Sequence, residues 1–141
     1  RRDQFLQTAR QHGATARTIE VQNPEKGRMQ AISELVDRLL ALKPRPTGIF
    51  CETDDVMLNV FNELRRRGVE PGRDLELIGC NNDPAAMQHL HPRPATIDLK
   101  LGMVGARAVE QLLQRMARPR DEDRCNILIT PALVPPEQPN K

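Results

Sequence analysis

The sequence predicts an α/β fold, a three-layer sandwich built on a mainly parallel sheet. Two observations carry this. Short β-rich runs alternate with amphipathic helical stretches, and parallel strands joined by right-handed helical crossovers are the arrangement that buries both. Gly, Pro and Asn stand at the joints between the runs, where turns need them.

Phe5, Leu6 and Ala9 share one face of a first helix, and Gly13 is placed to end it with a left-handed cap. TIEV, residues 18–21, is expected as a strand, and Asn23-Pro24 breaks the chain after it. Met29, Ile32, Leu35, Val36, Leu39 and Leu40 then recur at helical spacing until Lys43-Pro44 stops the pattern. TGIFC, residues 47–51, is the next strand. Val56, Val60, Phe61 and Leu64 mark the following helix, whose basic end RRRG suits the negative pole of its dipole. A Pro-Gly turn leads to the strand LELIGC, then to the polar loop NNDPAAMQHLHPRP and the short strand ATIDL. Leu101, Val104, Ala108, Leu112 and Met116 form one stripe of a last helix, and NILIT and ALV are expected as two closing strands. In such sheets ligands bind at the carboxyl ends of strands, here residues 21–23, 51–54 and 80–83.

A chain of 141 residues with 38% hydrophobic and 28% charged residues suits one soluble globular domain with a real core. The formal charge of +2 is too small to argue for nucleic acid or a membrane surface, so DNA is not expected to touch this chain itself. Three cysteines without metal-like spacing point to a reducing compartment, hence the cytoplasm. No apolar run approaches the roughly 20 residues of a membrane span. A helix at the first residue, with no strand ahead of it, is read as the sign of a fragment whose upstream part carried other elements.

Five motifs stand in order: RRDQF, IFCETDDVMLNVF, GVEPGRDLELIGCNN, PRPATI and MVGARAVEQLL. Their order and spacing resemble the effector-binding domain of the lactose-repressor and galactose-repressor family of bacterial transcription regulators. In that family an Arg-x-x-Gly-aromatic helix start, an apolar strand running into Asn-Asp, a Gly-aromatic-Asp-Asp strand end and a Pro-x-Leu-Thr-Thr-Ile crossover occupy the corresponding places. The resemblance implies an incomplete periplasmic-binding-protein-like (type I) C-terminal lobe. Residues 1–95 would form most of that lobe, residues 96–124 would cross towards an N-terminal lobe that is mostly absent, and residues 125–141 would supply return strands and a tail. DNA would be bound only through a missing N-terminal domain.

The resemblance also implies a site. The family's arginine, Asn of Asn-Asp and first strand-end Asp fall on Arg1, Thr53 and Asn81, which would hydrogen-bond a sugar or nucleoside-like effector. Guanidinium and amide groups suit vicinal hydroxyls. Here Thr53 replaces an amide, Asn81 a carboxylate and Cys80 an aromatic residue, so a charged acceptor has been lost. Blander readings stand beside these: Arg1 as a solvated charge, Asn81 and Asn82 as turn residues, Thr53 or Asp54 as a helix cap with Asp55 favouring the dipole. Family dimers imply a homodimer, with Met57, Leu58, Phe61 and Met87 as interface residues or, equally, as core.

An enzyme is not expected. Cys51 at a strand end mimics a nucleophile, yet Glu52, Asp54 and Asp55 oppose a thiolate and no glycines bracket it. His89-x-His91 lacks a third ligand at metal spacing, no Gly-rich phosphate loop is present, and neither metal nor cofactor is implied. The alternative of the same fold is a periplasmic sugar-binding protein of a transport system, which free cysteines and the GVEPGRDLELIG turn disfavour.

Overall fold

The computed structural model describes residues 2–22, 27–118 and 125–138. Two compact units make up the chain, Arg1–Pro46 and Thr47–Lys141.

In the first unit, helices α1 (Arg2–Gln11) and α2 (Arg28–Leu40) follow the expected periodicity. Gly13, at φ 68°, ends α1 with its N–H on the Arg10 carbonyl and the Ala14 N–H on the Ala9 carbonyl, the expected left-handed cap. Helix α2 buries Ala31, Ile32, Val36 and Leu39. The strand expected over residues 18–21 does not form, and Val21 is 43% exposed. Alternating β-prone residues make a strand only where a neighbouring strand accepts their ladder. Side chains hold this stretch instead: Arg38 Nη1 donates to the Glu20 carbonyl at 2.9 Å, and Arg2 Nη1 pairs with the Glu20 carboxylate at 2.7 Å.

The second unit is a four-stranded sheet in the order β1 (Gly48–Phe50), β2 (Glu76–Cys80), β3 (Ala95–Asp98), β4 (Ala132–Val134). The first three strands are parallel, and β4 runs antiparallel to β3. Helix α3 (Asp54–Arg66) connects β1 to β2 and packs on β2, and the short α4 (Pro84–Met87) packs on α3. Met57, Val60, Phe61 and Leu64 lie at i, i+3, i+4 and i+7, so one stripe of α3 enters the core with Leu77 and Leu90. Helix α3 ends at Gly68, φ 72°, where the Val69 N–H reaches back to the Leu64 carbonyl. Its basic end is satisfied locally. Arg66 and Arg67 pair with Glu63, and Arg65 pairs with Glu70 while lying over the Phe61 ring.

Two expectations are corrected here. Of the two closing strands, ALV forms β4, while residues 126–130 pair with no strand and Leu128 is 94% exposed. The loop after β2 contains α4, started by Asp83 as N-cap and Pro84 in the first turn, a pairing favoured at helix starts. Of the residues read as interface or as core, Met57, Phe61 and Met87 are buried within the chain itself, at 0%, 1% and 5% exposure, and Leu58 is half-buried.

Helix α5 (Leu101–Ala117) carries the expected apolar stripe and has no buried residue. Among the described residues, no helix is long and apolar enough to cross a membrane.

Candidate functional site

Because β1, β2 and β3 are parallel, their carboxyl ends share one edge of the sheet, and the next residues of each strand gather there. An open groove of about 650 Å³ lies at this edge. Asn81, Asn82, Asp83 and Pro84 line it after β2, and Asp98, Lys100, Leu101, Gly102 and Met103 line it after β3. Polar and apolar residues thus line the groove together, a mixture found in small-molecule sites.

The backbone here is unusual. Asn81, Asn82 and Lys100 are the non-glycine residues with positive φ among the described residues, at 111°, 54° and 53°. Such conformations are costly for L-residues and concentrate at functional sites. Each is anchored: the Asn81 N–H donates to the Ile97 carbonyl at 2.8 Å, the Asn82 N–H to Thr96 Oγ1 at 3.4 Å and the Lys100 N–H to Asp98 Oδ1 at 2.7 Å.

Asn81, on which the family resemblance put a ligand contact, lines the groove and is half-buried. Thr53 is at the same end of the sheet but does not line the groove. It is the N-cap of α3, its hydroxyl oxygen accepting the Val56 N–H at 3.3 Å, which is the blander of its two readings. A hydroxyl that accepts can still donate, so a ligand contact remains open to it chemically. Arg1 lies outside the described residues.

Of the two residues offered as the helix cap, Thr53 fills that place and Asp54 does not. Its carboxylate is fully buried and receives the Thr96 hydroxyl at 2.6 Å and the Asp83 N–H at 2.7 Å. Its place in the first turn of α3 adds a favourable dipole to those two hydrogen bonds, offsetting the cost of a buried charge. Sequence reasoning also missed Asp98 and Lys100. The signal was available, since the carboxyl-end rule applied to β3 as well as to β1 and β2 selects these two residues.

Cys51 is buried, and its thiol is pushed up to about 12, first by burial and then by the charges of Asp54 and Glu52. It is a poor nucleophile near neutral pH because the thiolate is the reactive form.

A family model described as a periplasmic binding protein-like domain matches residues 1–136. An HTH-type transcriptional repressor PurR from Mannheimia succiniciproducens is 34% identical over 101 residues, which span 72% of this chain and 30% of that protein. The ribose operon repressor of Haemophilus influenzae is 30% identical over 93 residues, 66% of this chain and 28% of that protein. The solved structure of a LacI family transcriptional regulator from Enterococcus faecalis with bound ribose superposes with a TM-score of 0.78, over 96% of this chain and 48% of that one, at 18% identity. That likeness speaks for the fold. The chain spans about three-tenths of the length of these two curated relatives.

Proposed function

Since the chain belongs to the periplasmic-binding-protein-like domain family, in the branch of lactose-repressor and galactose-repressor regulators, we propose that it is the effector-sensing and dimerising part of a bacterial transcriptional repressor. The observation that carries this reading is the groove at the carboxyl ends of β2 and β3, lined by Asn81, Asn82, Asp98 and Lys100. Amide, carboxylate and ammonium groups together offer donors and acceptors to a molecule with several hydroxyls, such as a sugar or nucleoside.

In this reading residues 1–95 belong to the C-terminal lobe, residues 96–124 cross to a second lobe and residues 125–141 return from it. Ligand bound between lobes favours one lobe arrangement, and that preference is passed through a cytoplasmic homodimer to a DNA-binding segment outside this chain. The local ion pairs of Arg65, Arg66 and Arg67 leave this basic cluster ill-suited to DNA. The repressor names of the relatives favour regulation over the transport alternative. Catalysis gains no support from Cys51, whose thiol is pushed up to about 12 by burial and by the charges of Asp54 and Glu52.

Calorimetric titration of the protein carrying this chain with D-ribose, hexoses, purine bases and nucleosides tests the reading. One of these is expected to bind, and Asn81→Ala and Lys100→Ala are each expected to weaken it by about tenfold, the loss of one hydrogen bond to a polar or charged group. Binding that both variants leave unchanged places the effector elsewhere.

A further inference from the structure

We propose that Asp54 and Thr96 are the positioning pair of this groove, holding the backbone of residues 81–83 so that the Asn81 side chain faces ligand; the proposal rests on the effector reading of the groove. Three successive backbone N–H groups are held there. Asn81 donates to the Ile97 carbonyl at 2.8 Å, Asn82 to Thr96 Oγ1 at 3.4 Å and Asp83 to Asp54 Oδ2 at 2.7 Å. The Thr96 hydroxyl closes the network by donating to Asp54 Oδ1 at 2.6 Å.

Two features show that this is more than general packing. The capping role at the start of α3 is filled by Thr53, so the helix does not need the Asp54 carboxylate as its cap. A fully buried carboxylate is expensive and is retained where its hydrogen bonds specify a conformation that the chain otherwise avoids. Asn81 and Asn82 supply that conformation: consecutive positive-φ residues persist only where their surroundings over-determine them. Asp54 follows β1, Asp83 follows β2 and Thr96 lies on β3, so one carboxylate ties the segments after β1 and β2 to β3.

The test compares the wild type with Asp54→Ala, Thr96→Val and Thr96→Ser, reading amide hydrogen exchange at Asn82, Asp83 and Leu77, and D-ribose affinity. Thr96→Val conserves shape and keeps the test alive if Asp54→Ala does not fold. Thr96→Val is expected to speed exchange at Asn82 and Asp83 by about tenfold or more, the worth of a hydrogen bond to a charged group, with Leu77 in β2 unchanged. Thr96→Ser, which restores the hydroxyl, is expected to return both rates to the wild-type values. Unchanged rates at Asn82 and Asp83, or a parallel rise at Leu77, overturn the proposal. If wild type binds D-ribose, Thr96→Val is expected to weaken it by about tenfold through the displaced Asn81; undiminished affinity also overturns positioning. A wild type blind to D-ribose instead counts against ribose as effector, and the exchange rates still decide the role of the pair.

Discussion

Gly79 makes room for the Asp54 carboxylate: a Cβ added at Gly79 would lie 2.1 Å from Asp54 Oδ1 and 2.7 Å from Met57 Cε. One missing side chain in β2 thus admits a charged group from α3 into the sheet edge. Gly79→Ala is expected to destabilise the protein by at least about 1–3 kcal/mol, the usual cost of overpacking. Urea unfolding measures it, and a midpoint equal to wild type would falsify this account of Gly79.

Asn81 separates backbone strain from side-chain chemistry, because glycine tolerates its φ of 111° and lacks the amide. Asn81→Gly is expected to keep or raise stability by up to about 1 kcal/mol while losing effector affinity. Asn81→Val, β-branched at the same φ, is expected to lose about 1–3 kcal/mol as well as affinity. Thermal unfolding and calorimetry on the pair test this; equal stability in the two variants contradicts it.

Phe61 and Leu58 lie on the same helix and are expected to respond oppositely. Phe61, 1% exposed, should cost about 3–5 kcal/mol on substitution by Ala, whatever the oligomeric state. Leu58→Glu should leave folding nearly intact and shift a dimer towards monomer in sedimentation experiments. A Leu58→Glu protein as dimeric as wild type removes this face of α3 from the interface.

The thiols should react unequally. Cys51 and Cys80 are buried and Cys125 is exposed, so iodoacetamide near neutral pH is expected to modify Cys125 alone in the native protein. Cys51 also makes stability depend on pH. Its folded value, about 12, lies above its ordinary value of 9.0, so the folded state keeps the proton that the unfolded state releases. Its contribution is constant below about pH 9 and is lost as pH rises from there towards 12, by up to about 1.4 kcal/mol per pH unit. Cys51→Ala should flatten that alkaline slope in denaturation curves, and an unchanged slope assigns it to other groups.

Leu112, Leu113 and Met116 on α5 are 60%, 58% and 69% exposed. Leu112→Glu combined with Met116→Glu is expected to change the stability of this chain by no more than about 0.5 kcal/mol per substitution, as at other surface positions. Concentration-dependent association, followed by light scattering, should fall because an exposed apolar patch is reduced. A large loss of stability would show that α5 is covered in solution.

Local chemistry determined much of this protein. The periodicity of α2, α3 and α5 and the glycine end of α1 were legible because they depend on neighbours a few residues apart. The strand-end rule likewise put Asn81 in the groove. Tertiary structure decided the rest. A β-prone stretch such as residues 18–21 or 126–130 becomes a strand only when a partner arrives, and α3 shows its core face only once β2 is beneath it. Asp54 is the clearest case: beside Asp55 in the chain it reads as one more acid at a helix start. Its role rests on Asp83 and Thr96, 29 and 42 residues away, and on the side chain that Gly79 lacks.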